Sequence, residues 1–143
     1  MSASSIAVPL HRAPLRLRLT DPPGSSTLDG GWWPQSRSLL IELADLVDGF
    51  PSDGRIVRAH FSRPDWDDAP ARVPVRHGYV QTGSTAYDDT HVIELRTSDR
   101  RVLCLLVIPP TMTDAQGEEA LHGAVTRGYA ASPKALLEAV ASR

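Results

Sequence analysis

The sequence predicts an α+β fold, a single mostly antiparallel sheet of five or six strands with an early helix and two C-terminal helices packed on one face. Strand-like segments cluster together, one helical segment precedes most of them, and two helical segments follow. This grouping is typical of α+β proteins and not of alternating parallel folds. A chain of 143 residues has the usual size of one domain. We therefore expect a single domain at 15–143 after a mobile segment at 1–14.

The first two predicted elements are a strand and a helix. Between positions 15 and 19 leucine alternates with arginine, and this period of two predicts a strand with one buried face. Apolar residues then recur at helical spacing from Leu39 to Phe50, and Ser36 is the predicted N-cap. We expect Glu42 on the solvated face of this helix, opposite the leucines.

The middle of the sequence predicts the rest of the sheet. The predicted strands cover 55–61, 73–81 as one strand or two, and the hairpin of 91–97 with 102–108. In the first of these strands, alternation places Val57 on the same face as Ala59 and Ile56 on the opposite face.

Two helices close the predicted fold. Thr113 and Gln116 have the spacing of a capping box, in which each side chain bonds the backbone N–H of the other residue. Ser132 followed by Pro133 is typical of the N-cap and first turn of a helix. Apolar residues at helical spacing follow each of these two helix starts, so each helix is expected to bury one apolar stripe.

Composition narrows the class of function. The formal net charge of −2 gives no overall attraction to nucleic acid or to anionic lipid. The single cysteine, Cys104, excludes an internal disulfide and fits a reducing compartment. It lies in the most apolar segment, 102–108, where we expect it to be buried, and that segment is too short for a membrane span. We therefore expect a cytoplasmic protein without membrane contact.

The most distinctive segment runs from Asp29 to Arg37 and contains the adjacent Trp32 and Trp33. Adjacent side chains of an extended backbone point in opposite directions. One ring can therefore lie in the core while the other lies at the surface beside Arg37, where the two would form a stacking and cation–π platform. We favour the alternative that both rings fill the gap between the first helix and the sheet, because aromatic side chains contribute most to the energetics of a core.

A second polar group follows the strand at 55–61. His60 stands near the end of that strand, and the next loop carries Asp65, Trp66 and Asp67. A histidine held by a carboxylate can act as a general base, which makes His60 with Asp65 or Asp67 a candidate pair. We favour the alternative of a histidine on the solvated sheet face and acidic residues that close a turn, because acid-rich turns are common for their own hydrogen bonds.

Other patterns of cofactor and metal sites are missing from the sequence. The five histidines are scattered, and no two of them are one helical turn apart. There is no phosphate-binding glycine loop, dinucleotide fingerprint or nucleophile elbow. We predict no cofactor and no metal site.

Several of these motifs together resemble those of a known family. They are the Gly-Trp-Trp-Pro stretch at 31–34, the Asp-Trp-Asp at 65–67 and the strand that ends in Pro109-Pro110. Motifs of this kind are similar to those of an actinobacterial family of small proteins of unknown function, over about residues 15–125. The resemblance implies an actinobacterial cytoplasmic protein and assigns no activity and no catalytic residue.

Three functions follow as hypotheses. The first is a non-catalytic binding or regulatory module with an aromatic and arginine surface that takes a protein partner or a small ligand. The second is a small hydrolase-like enzyme with His60 as base and Arg37 as anion clamp. The third, binding of RNA or a ribonucleoprotein, is disfavoured by the near-neutral charge. Homodimerisation through a sheet edge stays open. The candidate binding residues are Trp32, Trp33, Arg37, His60, Asp65 and Trp66.

Overall fold

The computed structural model of the protein describes residues 14–20, 28–51, 54–84, 90–126 and 132–142. Apart from residue 14, the predicted mobile segment at 1–14 lies outside these ranges. In chain order the elements are β1 (Leu17–Leu19), β2 (Gly30–Trp32), α1 (Leu39–Asp48), β3 (Ile56–Phe61), a 3₁₀ turn (Arg63–Asp65), β4 (Arg72–Val75), β5 (Gly78–Ser84), β6 (Val92–Thr97), β7 (Val102–Val107), α2 (Asp114–Thr126) and α3 (Pro133–Ala141).

The seven described strands form one sheet in the order β1-β2-β7-β6-β3-β5-β4. Four of its pairings are antiparallel, whereas β2–β7 and β3–β5 are parallel. The sheet is therefore mixed, and it has more strands than the five or six predicted. The additional strand is β2, whose Gly-Gly-Trp sequence has no apolar alternation and so carries no strand signal.

The two faces of the sheet carry separate cores. Leu103, Leu105 and Val107 of β7 pack in a core with α1, while Leu106 and the following Ile108 pack in another with α2 and α3. The expectation that all three helices cover one face is therefore wrong. The apolar composition of β7 fits its central place between two cores.

Helices cover the second face only in part. There α2 contacts β1 and β2, and α3 packs on α2. The neighbouring strands β6, β3, β5 and β4 carry exposed side chains on the side opposite α1, and we call this surface the open face. Its exposed side chains include Arg96, Arg58, Tyr79, Gln81 and Arg72.

The beginning of α1 differs from the prediction. The N-cap is Ser38, whose Oγ accepts the N–H of Ile41 at 3.4 Å. Ser36 instead donates to Oε2 of Glu42 at 2.7 Å, and Oε1 accepts the Gln35 N–H at 2.9 Å. Glu42 is only 1% exposed and does not lie on the solvated face. Its hydrogen bonds replace those that water would supply, which makes a buried carboxylate tolerable.

A β-bulge in β3 reverses two predicted orientations. The pairing with β6 shifts register between Ile56 and Arg58. Ile56 therefore points into the core and Val57 is 39% exposed, the reverse of simple alternation. As a result, Val57 and Arg58 are both exposed next to each other.

The other predicted elements are confirmed. β6 and β7 form the predicted hairpin, and β4 and β5 are two strands joined by a turn. In the capping box, Thr113 N–H donates to Gln116 Oε1 at 3.1 Å, and Gln116 N–H donates to Thr113 Oγ1 at 3.2 Å. Ser132 caps α3 by accepting the Ala135 N–H at 3.1 Å. None of the described helices is long and apolar enough to cross a membrane.

Candidate functional site

Trp32 and Trp66 meet beneath α1. Their ring centroids are 5.5 Å apart with 34° between the ring planes. Trp32 is 1% exposed and Trp66 is 5% exposed. The Nε1 of Trp66 is buried and has no hydrogen-bond partner in the described structure. The two rings belong to the core, and the sequence-based expectation of an exposed aromatic platform does not hold for them.

Trp33 is buried on the opposite face of the sheet, at 3% exposure. Its Nε1 donates to the Pro109 carbonyl at 3.1 Å, and Gly117 of α2 leaves room for the ring, since a Cβ there would lie 2.3 Å from Cη2. The guanidinium of Arg16 lies 3.6 Å from the ring centroid. A cation–π pair therefore exists, but with Arg16 and not with the predicted Arg37. Both adjacent rings are core residues, as favoured over one surface ring, but Trp33 packs in the core with α2 and α3 and not beneath the first helix.

The acidic loop after β3 closes around the beginning of α1. Arg37 Nε donates to Asp67 Oδ1 at 2.8 Å, and Arg37 Nη2 donates to the Pro64 carbonyl at 3.0 Å. Asp68 accepts the backbone N–H of Leu39 at 2.6 Å and that of the next residue at 3.1 Å. The Asp68 carboxylate therefore satisfies two of the donors that the first turn of a helix leaves free.

Asp65 is a buried carboxylate that faces a histidine. Its Oδ2 accepts the His91 N–H at 2.7 Å, and its Oδ1 lies 3.4 Å from His91 Nδ1. Burial raises the pKa of the Asp65 carboxyl, while His91 and Arg37 act to lower that pKa. His91 adopts φ = 66°, a conformation uncommon for a residue with a side chain. Sequence reasoning missed His91 because it lies 26 positions from its partner.

His60 lies on the outer sheet face, as in the favoured interpretation, and its partner is not a carboxylate of the candidate pair. Its Nδ1 lies 3.4 Å from Glu94 Oε1 across the β3–β6 pairing, on the open face. The predicted pairs of His60 with Asp65 or Asp67 are not observed, because both carboxylates bond elsewhere. Arg37 stands on the α1 side of the sheet, away from the open face. The convergence that the hydrolase hypothesis requires is therefore not observed.

The open face carries a row of long polar side chains. Arg96 on β6 pairs with Arg58 on β3, Arg58 pairs with Gln81 on β5, and Gln81 pairs with Arg72 on β4. Because neighbouring strands are about 4.8 Å apart, this arginine row extends about 14 Å across the sheet. The Arg72 guanidinium lies 4.9 Å from the centroid of the exposed Tyr79 ring. Alternation alone indicates that these residues are exposed, but only the strand order places them in one row.

A groove lies beside the arginine row. Its volume is about 280 Å³. Arg101 is paired with Asp99 at 3.1 Å, whereas the described residues provide no hydrogen bond or ion pair for the Arg100 side chain. The groove is lined by Val57, Arg58, Arg96, Arg100, Arg101 and Val102, with Thr97 at its base.

Charges on the described part of the open face are unbalanced. Arg58, Arg72 and Arg96 carry three positive charges there, and the facing carboxylate is Glu94, which lies 3.3 Å from Arg96. Arg58 donates instead to the neutral Gln81 Oε1 at 2.7 Å. A chain with a net charge of −2 thus has a local excess of positive charge on one exposed surface. Such a surface attracts anionic groups.

Metal ligands are not clustered in the described part of the chain, which holds no group of three or more His, Cys, Asp or Glu that could bind a metal ion. Cys104 is partly buried, and not fully buried as predicted, and it packs against the core with α2 and α3. Its backbone N–H donates to Asp29 Oδ2 at 2.8 Å.

The model of a family of unknown function, DUF5994, matches residues 16–124. The chain belongs to this family. The match begins just before β1 and ends within α2, close to the span of 15–125 that the resemblance covered, so α3 lies outside it. No curated protein and no solved structure matches the chain. In this DUF5994 member the three tryptophans, the Asp65–His91 pair and the arginine row all fall within the matched residues.

Proposed function

We propose that this DUF5994 protein is a cytoplasmic, non-catalytic binding module that recognises an acidic segment of a partner protein through its open face. The single observation that carries the proposal is the arginine row, in which Arg58 and Arg96 are direct cross-strand partners. It replaces the surface of aromatic residues and Arg37 that the sequence suggested with a different set of arginines.

The chemistry of the row supports an anionic partner. A guanidinium presents several N–H donors in a plane, which matches the two oxygens of a carboxylate. Arg58 is bonded to a neutral amide and Arg96 to one shared carboxylate, so both retain donors for a ligand. The spacing of the row fits several anionic groups along an extended chain, and does not fit a single small ion.

The row is not explained by the stability of the sheet. Like charges in directly opposite positions of a β-sheet disfavour the pairing. Among the described helices, none covers the open face as α2 covers the same side of β1 and β2. An exposed, unbalanced set of arginines on rigid strands is the arrangement expected of a preformed binding surface.

Binding of a fluorescein-labelled oligoglutamate peptide, followed by fluorescence anisotropy, tests the proposal. The double variant Arg58→Ser/Arg96→Ser is expected to weaken binding by about tenfold or more, which corresponds to about 1.4 kcal/mol. The matched control is Arg63→Ser/Lys134→Ser, which removes the same charge from exposed positions outside the open face. Equal weakening by both double variants would mean that only net charge matters, and would end the proposal.

A second candidate is single-stranded RNA, favoured by one observation. The exposed ring of Tyr79 lies beside Arg72 and offers a surface on which a base can stack. In the same assay, this candidate would be favoured if labelled oligouridine bound more tightly than the peptide and if Tyr79→Ala weakened the binding of oligouridine. The peptide proposal expects Tyr79→Ala to have little effect on oligoglutamate binding.

A further inference from the structure

A second concave region lies away from the arginine row, at the end of α1. The cavity has a volume of about 320 Å³ and lies between the C-terminal part of α1, the beginning of β3 and the β4–β5 turn. Small-molecule sites have volumes of about 300–1,000 Å³, so this cavity is at the small end of that range. Its apolar walls include Val47, Phe50, Ile56 and Val75.

The rim of the cavity is cationic. Arg55 and Arg76 both line it, and in the described parts of the chain no hydrogen bond or ion pair engages either guanidinium. Asp48 also lines the cavity, but its Oδ1 already accepts the backbone N–H of Arg76 at 3.0 Å. His77 and Tyr79 add further polar groups to the same rim.

We propose that this cavity binds a small monocarboxylate with an apolar body. The apolar part would be covered by Phe50 and Val75, where removal from water is favourable at about 25 cal/mol per Å² of buried apolar surface. The carboxylate would lie at the rim, where the guanidinium groups of Arg55 and Arg76 can each donate to it. An apolar pocket with a few convergent polar groups is the usual form of a small-ligand site.

The site is distinct from the one in the proposed function. Val57 lines both the cavity and the groove beside the arginine row, so the two regions are neighbours. Their arginines differ, however: the cavity has Arg55 and Arg76, and the row has Arg58 and Arg96. Variants of one pair therefore test one site without removing the charges of the other.

Octanoate is the probe, titrated into the full chain with ¹H–¹⁵N NMR as the readout. We expect saturable shifts centred on the residues that line the cavity. The double variant Arg55→Gln/Arg76→Gln should weaken octanoate binding about tenfold, or about 1.4 kcal/mol. Octanol, which has the same apolar body without the charge, should bind the wild type and this double variant equally.

Two control variants distinguish binding in the cavity from a general effect of charge. Arg58→Gln/Arg96→Gln changes the net charge equally on the open face, and it should leave octanoate binding unchanged even if oligoglutamate binding fails. Val75→Phe narrows the cavity and should abolish octanoate binding, with the melting temperature measured to verify folding. Chemical-shift changes that do not saturate, or that spread over the whole surface, would overturn the proposal. An equal loss of octanoate binding in the two double variants would overturn it as well.

Discussion

Arg58 and Arg96 face each other directly across β3 and β6, with both side chains exposed on the open face. Each has a polar neighbour, since Arg58 donates to Gln81 and Arg96 lies beside Glu94. Glu94 offsets part of the positive charge of Arg96, whereas the neutral Gln81 offsets none of that of Arg58, so a net repulsion between the two guanidinium groups is expected to remain. The pair is therefore a local cost to the sheet that an anionic partner would offset.

The repulsion between these arginines can be measured with a double-mutant cycle. Arg58→Gln, Arg96→Gln and the double variant should give an unfavourable coupling free energy of about 0.2–1 kcal/mol. Salt screens exposed charges, so the coupling should shrink as ionic strength rises. Urea unfolding at low and high salt provides the measurement. A favourable coupling, or one that does not respond to salt, would contradict the repulsive pairing.

Asp68 is predicted to stabilise α1 from a distant position in the chain. Its carboxylate accepts two backbone N–H groups at the beginning of the helix, the first at 2.6 Å. Asp68→Ala should lower the free energy of unfolding by about 1–2 kcal/mol, the usual effect of losing an N-terminal cap.

The neighbouring Asp67 is the matched control for this prediction. Its side chain is 72% exposed and pairs with Arg37 at 2.8 Å. Exposed ion pairs contribute about 0–1 kcal/mol, so Asp67→Ala should be the milder change. A larger loss of stability in Asp67→Ala than in Asp68→Ala, measured by urea unfolding, would show that the cap is not the more important contact.

Asp65 predicts a specific pH dependence of stability. Burial raises the pKa of this carboxyl above its ordinary value of 3.8, so the folded protein holds the proton more tightly than the unfolded chain. The stability that Asp65 contributes is therefore fully present below 3.8 and is lost as pH rises through the raised pKa. The free energy of unfolding of the wild type, relative to Asp65→Asn, should fall over that window and then level off.

The raised pKa of the Asp65 carboxyl can also be measured directly. ¹³C NMR of the Asp65 carboxyl carbon should give a titration midpoint above 3.8. A midpoint at or below that value would mean that His91 and Arg37 outweigh burial. The same conclusion would follow if the free energy of unfolding of the wild type, relative to that of Asp65→Asn, increased with pH.

Gly117 is predicted to be required by the ring of Trp33. A Cβ at position 117 would lie 2.3 Å from Trp33 Cη2, so Gly117→Ala forces the ring or the helix to move. Overpacking costs about 1–3 kcal/mol, against about 1 kcal/mol gained from the helix propensity of alanine. We expect a net loss in thermal unfolding. At the exposed His122 of the same helix, His122→Ala should instead be more stable than His122→Gly.

The sequence predicted correctly those elements that depend on contacts between residues close together in the chain. The leucine spacing of α1, the capping box of Thr113 with Gln116 and the Ser132-Pro133 start of α3 are all present. The strand at Gly30–Trp32 was missed because its glycines carry no period, and it becomes a strand only through pairing with β1 and β7. The position of α2 and α3 on the second face also depends on long-range packing.

The candidate site was predictable in its composition but not in its geometry. The sequence indicated His60 and Asp65 as polar candidates, yet His60 pairs with Glu94 and Asp65 with His91. The first pair depends on the β3–β6 register, which pairs His60 with Glu94, and the second depends on how the turn after β3 lies beside the residue before β6. Burial of all three tryptophans follows from cores on both faces of the sheet, whereas the prediction assumed one covered face.

The central position of β7 has a consequence for how the chain folds. In the described sheet, β1 and β2 are joined to the other five strands only through the pairing of β2 with β7, a strand that follows more than seventy positions later. During synthesis, the early strands must wait for most of the matched sequence to emerge before they find their neighbour. Contacts between such distant positions slow folding. Until β7 is made, one edge of the β1–β2 segment has no sheet neighbour, and unpaired strand edges of incomplete chains are prone to aggregation.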